Sequence, residues 1–116
     1  MRTVLVADDS LGVRALLRTA LERQGHRVLE AASAAEVFEI LDEEGADVIL
    51  LDVHLGLDNG LEVGAQLRED SRYRATKVVF MTGTMTNAAL VRLSRKLDVE
   101  ILAKPLDLET LNQAVS

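Results

Sequence analysis

Five short apolar runs alternate with five stretches of helical periodicity, and this alternation constrains the chain more than any other feature. Residues 3–7, 27–31, 47–51, 77–81 and 99–103 are rich in Val, Leu and Ile, as strands are. Residues 11–24 carry Val13, Leu16, Leu17, Ala20 and Leu21 at steps of three and four, with Arg14, Arg18 and Glu22 on the opposite, solvated side. Gly25 fits the position just past this helix. Ser33 and Glu36 form a capping box for a second helix, which turns Val37, Ile40 and Leu41 inward and closes at Gly45. A third helix opens near Gly60 with Leu61, Val63, Gly64 and Leu67 on its apolar side, and residues 71–76 make a polar connection. Thr86 can cap a fourth over residues 87–96, with Leu90, Leu93 and then Leu97. Asp107 can cap a fifth containing Leu108, Leu111 and Val115. Strict alternation implies parallel strands joined by right-handed crossovers. The first, third and fourth runs are almost wholly apolar, as strands covered on both faces are, whereas the second is more polar, as an edge strand is. The expected fold class is α/β: an open doubly wound five-stranded parallel sheet in the order 2-1-3-4-5, with its switch point between strands one and three.

In such a sheet the residue after each strand lies on one common edge, where ligands bind. Strand one delivers Asp8 and Asp9, strand three Asp52, strand four Thr82 and strand five Lys104. Each has a plainer reading: an acidic residue after a strand is often a helix cap, Thr82 a loop residue, Lys104 a solvated charge. Four strand ends with matched chemistry weigh against coincidence. Three carboxylates so close either raise some of their pKa values or bind a cation. Oxygen ligands without His or Cys side chains suit Mg²⁺. Lys104 can reach a phosphate oxygen and Thr82 can donate a hydroxyl proton to the same group. With one carboxylate as nucleophile, this is aspartyl-phosphate chemistry.

Composition removes several other classes. At 116 residues the chain is expected to be one domain, residues 1–116, able to bury a core without staples. It has no cysteine, which excludes thiol catalysis and thiolate metal sites and is compatible with a cytoplasmic location. A net charge of −6 and only three aromatic residues (two Phe, one Tyr) argue against nucleic-acid binding. No apolar stretch reaches the roughly 20 residues that span a membrane.

The segments Val4-Leu5-Val6-Ala7-Asp8-Asp9-Ser10, Leu50-Leu51-Asp52-Val53 with Asn59-Gly60, Met81-Thr82-Gly83 and Lys104-Pro105 together resemble the receiver domain of bacterial two-component response regulators. The resemblance covers essentially the whole chain. Each motif is weak alone; their order and strand-end placement are specific in combination. It implies a flavodoxin-like receiver fold and a cytoplasmic phosphorelay protein. Asp52 would take a phosphoryl group from a phosphohistidine of a sensor histidine kinase or histidine phosphotransfer protein. Asp9, helped by Asp8, would hold Mg²⁺, with Asp52 and the main-chain carbonyl of His54 as further ligands. Lys104 would neutralise charge on the phosphoryl group. Thr82 would swing to bond it, altering the face of helix four, strand five and helix five, which could also carry a homodimer. The domain would hydrolyse its own phosphoaspartate, acting as a switch rather than a turnover enzyme. The resemblance also implies a cis Lys104-Pro105 bond.

The chain departs from the receiver pattern in three places. Gly56 stands where many receivers have Pro, four residues after the acceptor, which should loosen residues 53–59, expected to form a loop. Ile101 occupies the switch position usually held by Tyr or Phe, and a β-branched aliphatic cannot perform that aromatic rotation. The last helix is short, which fits either a stand-alone receiver or a piece of a longer protein. A phosphate-independent interaction module is a rival reading, kept open by Ile101. An aspartyl phosphatase is another, but it needs a second Asp where His54 stands. A flavin site is poorest, for want of a Ser/Thr-rich phosphate loop after strand one. The side chains of His54 and Thr84 are expected to be exposed, His26 to be a surface turn residue, and Arg68, Arg72 and Arg74 to form a solvated cluster.

Overall fold

A computed structural model of the chain describes residues 1–83 and 88–116. Thr84, the Thr86 cap and Asn87 lie outside the described residues. The strands are β1 (Thr3–Ala7), β2 (Arg27–Ala31), β3 (Val48–Asp52), β4 (His54–Leu55), β5 (Asp58–Asn59), β6 (Lys77–Thr82) and β7 (Glu100–Ala103). The helices are α1 (Leu11–Arg23), α2 (Ala34–Glu43), α3 (Gly60–Glu69), α4 (Ala88–Leu97) and α5 (Leu108–Val115), with a 3₁₀ turn at Ser71–Tyr73. The main sheet runs β2-β1-β3-β6-β7 and all its pairings are parallel. This is the expected 2-1-3-4-5 order, renumbered because a hairpin intervenes.

That hairpin corrects the expectation of a plain loop after Asp52. β4 and β5 pair antiparallel, His54 opposite Asn59 and Leu55 opposite Asp58. Its turn explains Gly56: φ there is +62°, whereas a proline ring fixes φ near −65°. The Asp58 carboxylate accepts a hydrogen bond from the Ala34 N–H at 2.8 Å, which ties the hairpin to the start of α2. Strand β3 is also shifted by one residue from the expected 47–51, because Asp47 turns its carboxylate to the Thr3 N–H at 2.8 Å and Asp52 keeps the ladder going opposite Met81.

Period-two alternation along the central strands divides the core into two layers. Leu5, Ala7, Ile49, Leu51, Val78 and Phe80 face α2, α3 and α4, meeting Val37, Leu41, Val63, Leu67 and Leu90. Val4, Val6, Val48, Leu50, Val79 and Met81 face α1 and α5, meeting Leu17, Leu21, Leu111, Ala114 and Val115. Gly64 lets α3 lie directly on the Phe80 ring; a Cβ there would fall 2.3 Å from Phe80 Cζ.

Local signals decide the helix ends. Ser10 Oγ accepts from the Val13 N–H at 3.3 Å. The capping box forms, with Ser33 Oγ accepting from the Glu36 N–H, although the Glu36 carboxylate reaches back to the Ala32 N–H. Asn59 caps α3 through the Leu61 N–H, and Asp107 caps α5 through the Thr110 N–H. Two side chains of α1 depart from the periodic reading. Leu16 is 69% exposed, since Leu17 and Leu21 already fill the seam with the sheet. Arg14 is drawn inward, its side chain only 14% exposed. Among the three arginines near the end of α3, Arg68 is half-buried and braces the following turn, donating to the Tyr73 carbonyl at 3.1 Å and to the Thr76 carbonyl. Arg72 pairs with Asp70, and Arg74 is exposed.

Candidate functional site

The same alternation that sorts the core aims the strand ends. Val4, Val6, Val48, Leu50 and Leu102 belong to the α1–α5 layer. Two residues further on, in the same phase, stand Asp8, Asp52 and Lys104. Lys104 Nζ lies 2.5 Å from Asp8 Oδ2 and 2.8 Å from Asp52 Oδ2. The lysine is carried there by its own N–H, which donates to the Thr82 carbonyl at 2.8 Å, and the Lys104-Pro105 bond is cis. The other oxygens are used locally: Asp8 Oδ1 accepts from the Ser10 N–H at 2.9 Å, and Asp52 Oδ1 from the His54 N–H at 2.9 Å.

Helix capping does not explain the acidic pair, because Ser10 takes that role. Asp8 is fully buried, whereas Asp9 is exposed. One carboxylate oxygen from each of Asp8, Asp9 and Asp52 can be chosen so that all three lie within 4.8 Å of one another. This donor set is all oxygen, anionic, and open to solvent on the Asp9 side, which fits a hard divalent cation such as Mg²⁺. Lys104, paired with Asp8 and Asp52, offsets part of this negative charge.

Thr82 occupies the opposite phase. It follows Val78 and Phe80, which face α2–α4, and is itself buried. It lines a groove of about 710 Å³ between the β4–β5 hairpin and α4, together with His54, Asn59, Leu61, Leu90 and Leu93. The site is therefore approached from two sides of the sheet, with Lys104 on one and Thr82 on the other. Ile101 sits opposite Phe80, half-buried and packed into the α2–α4 layer. The His54 side chain is exposed, and the His26 imidazole accepts from the Arg2 N–H.

Two residues to which sequence reasoning assigned no role at the site support it, although Gly60 belongs to the segment that carries the resemblance. Arg14 donates from Nη1 to the Asp8 carbonyl at 2.6 Å. Gly60 sits against the backbone of Asp52, where a Cβ would fall 1.9 Å from the Asp52 carbonyl oxygen. A poor helix former opening a helix is a signal that something needs the space.

Burial pulls the Lys104 pKa down, but hydrogen bonds to Asp52 and Asp8, and then their charges, more than offset it, so the group lies above its ordinary 10.5. A raised pKa in the folded state means that folding favours the protonated form. The stabilisation is fully present below the unfolded-state pKa and is lost as pH rises through the folded value. Thermal melts in chelator are expected to show a decline above about pH 10.5, reduced in Lys104→Arg, whose charge persists. A decline of equal size in both proteins would show that the ammonium is not its source.

The topology and this edge define the class: an open doubly wound α/β protein with an acidic, lysine-bridged site at its switch point. The sequence model of the response regulator receiver domain matches residues 4–116, and the chain belongs to that family. Among curated relatives, Protein PilH of Pseudomonas aeruginosa is 30% identical over 116 residues, covering 100% of this chain and 96% of its own. The sensory/regulatory protein RpfC of Xanthomonas campestris pv. campestris is 35% identical over 105 residues, covering 89% of this chain but only 14% of RpfC. Among solved structures, a response regulator from Burkholderia pseudomallei with a phosphorylated aspartic acid, calcium ion and citrate superposes with a TM-score of 0.88. It is 28% identical over 100% of this chain and 67% of that one. The chemotaxis protein CheY4 of Vibrio cholerae gives 0.87, at 28% identity over 97% of this chain and 94% of its own. No helix among the described residues is long and apolar enough to cross a membrane.

Proposed function

We propose that this chain is a cytoplasmic phosphoacceptor switch, with Asp52 taking a phosphoryl group from a phosphohistidine on a sensor histidine kinase or histidine phosphotransfer protein. The observation that carries the reading is Lys104 bridging Asp8 and Asp52 beside the exposed Asp9. Of the two bridged carboxylates, Asp8 has no exposed side-chain surface while Asp52 retains 8%, so an incoming donor meets Asp52. The phosphorylated aspartate and calcium of the Burkholderia relative support the same assignment.

An oxygen of Asp52 attacks phosphorus as the bond from phosphorus to the histidine nitrogen breaks, and the imidazole leaves. Such a transition state spreads negative charge over the equatorial phosphoryl oxygens, so the protein's task is positioning and charge neutralisation. Lys104 exchanges a carboxylate oxygen for a phosphoryl oxygen. The His54 N–H continues to hold the Asp52 carboxyl group, and the Thr82 hydroxyl donates to the phosphoryl group from the opposite side. Mg²⁺, held by Asp8, Asp9, Asp52 and the His54 carbonyl, would supply further neutralisation. In-line attack by water then releases inorganic phosphate and restores Asp52. Output would pass through the face of α4, β7 and α5, which could also pair two copies, with Ile101 packing rather than rotating.

Incubation with Mg²⁺ and acetyl phosphate is expected to add one phosphoryl mass to the intact protein, and excess EDTA to prevent it. Folded protein that gains no mass under these conditions overturns the proposal.

A further inference from the structure

We infer that Arg14 is a positioning residue for divalent-cation binding, holding the Asp8–Asp9 peptide through the Asp8 carbonyl while Glu30 fixes the guanidinium. This rests on the proposed reading of the acidic cluster as a cation site.

Asp9 is the exposed member of that cluster, and its carboxylate accepts no hydrogen bond among the described residues. Its place is set by its backbone alone. The preceding residue is anchored at the other groups: the Asp8 N–H donates to the Ala31 carbonyl at 3.0 Å, and both carboxylate oxygens are engaged. The Asp8 carbonyl, which fixes the plane of the peptide leading into Asp9, is held by Arg14 Nη1 at 2.6 Å. Arg14 Nε in turn donates to Glu30 Oε1 at 3.0 Å, and Arg18 Nε holds Glu30 Oε2 at 2.7 Å.

The setting of Glu30 argues that this bridge serves the site. Glu30 lies opposite Val6 in the ladder, in the phase of Val28, which joins the α1–α5 core layer. An aliphatic residue there would extend that layer. A half-buried carboxylate held by two arginines is instead desolvated, and such networks are weak sources of net stability. What this one supplies is a rigid fork of donors with a fixed aim.

Electrostatics gives a discriminating sign. Removing Arg14 takes a positive charge from beside three carboxylates and leaves Glu30 less compensated, so Coulomb forces alone would tighten cation binding. Loss of positioning would weaken it, and a purely structural residue would change the melting temperature without changing the affinity. Mg²⁺ binding by isothermal titration calorimetry, paired with melts in EDTA, separates the three. Arg14→Ala is expected to raise the Mg²⁺ Kd about tenfold, as loss of a group supporting a metal ligand does. Arg14→Lys, which keeps the charge but not the fork, should recover part of that loss. Should Arg14→Ala fail to fold, Arg14→Met is the second variant: it keeps an aliphatic stem, removes the same charge and the same donors, and is expected to weaken binding in the same direction. Unchanged or tighter Mg²⁺ binding by folded Arg14→Ala, or by Arg14→Met if it alone folds, overturns the role of Arg14. Wild-type protein that binds no Mg²⁺ overturns the reading of the site itself.

Discussion

Asp52→Asn is expected to abolish phosphoryl uptake while leaving the metal-free protein as stable as the wild type or up to about 2 kcal/mol more stable. Both halves follow from the same geometry. The carboxamide oxygen can still accept from the His54 N–H, whose partner in the wild type is Asp52 Oδ1 at 2.9 Å, but it is no longer a nucleophile. Removing the charge forfeits one attraction, to Lys104 at 2.8 Å, and relieves two repulsions, from Asp8 and Asp9, each within 4.8 Å. At a common dielectric the two repulsions together slightly exceed the one attraction. The deciding quantity is then the desolvation of a nearly buried carboxylate, which the amide escapes. Intact-mass measurement after acetyl phosphate and a melt in EDTA check the two halves separately. Uptake retained by the Asn variant would move the acceptor to another carboxylate. A loss of several kcal/mol would make Asp52 a structural group first.

The parts of this site that could be read from residues alone are those governed by local rules. Alternating strands and helices fix a parallel sheet, a parallel sheet fixes a common edge, and the residues after the apolar runs are then neighbours without any contact being known. Ser33, Gly25, Gly45 and Asp107 mark helix ends through chemistry confined to a few positions. What stayed hidden depends on distant partners. Arg14 falls on the polar side of the α1 periodicity, and only the position of Glu30, sixteen residues away, turns it inward. The β4–β5 hairpin is too short to show alternation, so a run containing His54, Gly56 and Asn59 reads as a loop. Leu16 satisfies the helical spacing but lies beyond the width of the seam that Leu17 and Leu21 occupy. Thr82 and Lys104 come from adjacent strand ends, yet opposite phases of alternation send them to different sides of Asp52, a distinction the edge argument alone does not make.

Gly60→Ala is expected to cost more than about 3 kcal/mol, beyond the usual range for overpacking, and to lower phosphoryl uptake even in the fraction that remains folded. The added Cβ would lie 1.9 Å from the Asp52 carbonyl oxygen, 2.8 Å from Val53 Cα and 2.9 Å from the Asp52 carbonyl carbon. All three are backbone atoms, so no rotamer change relieves the clash; either α3 withdraws or the end of β3 moves. Withdrawal is opposed by the Gly60 N–H, which donates to the Val53 carbonyl at 2.9 Å, and by the packing of Val63 and Leu67 beneath the sheet. Displacement of β3 carries Asp52 away from Lys104 and the acidic pair, and a shift of about 1 Å at reacting groups costs on the order of a hundredfold in rate. Gly12→Ala is the control, because its Cβ would meet only Ser10 Oγ, at 3.9 Å. There the better helix propensity of Ala should leave stability unchanged or raise it by up to about 1 kcal/mol. Urea unfolding and initial rates of acetyl phosphate uptake measure the two effects. A Gly60→Ala protein with wild-type stability and wild-type uptake would mean that the backbone around Asp52 yields without consequence, and that the acceptor is not held by the close approach of α3.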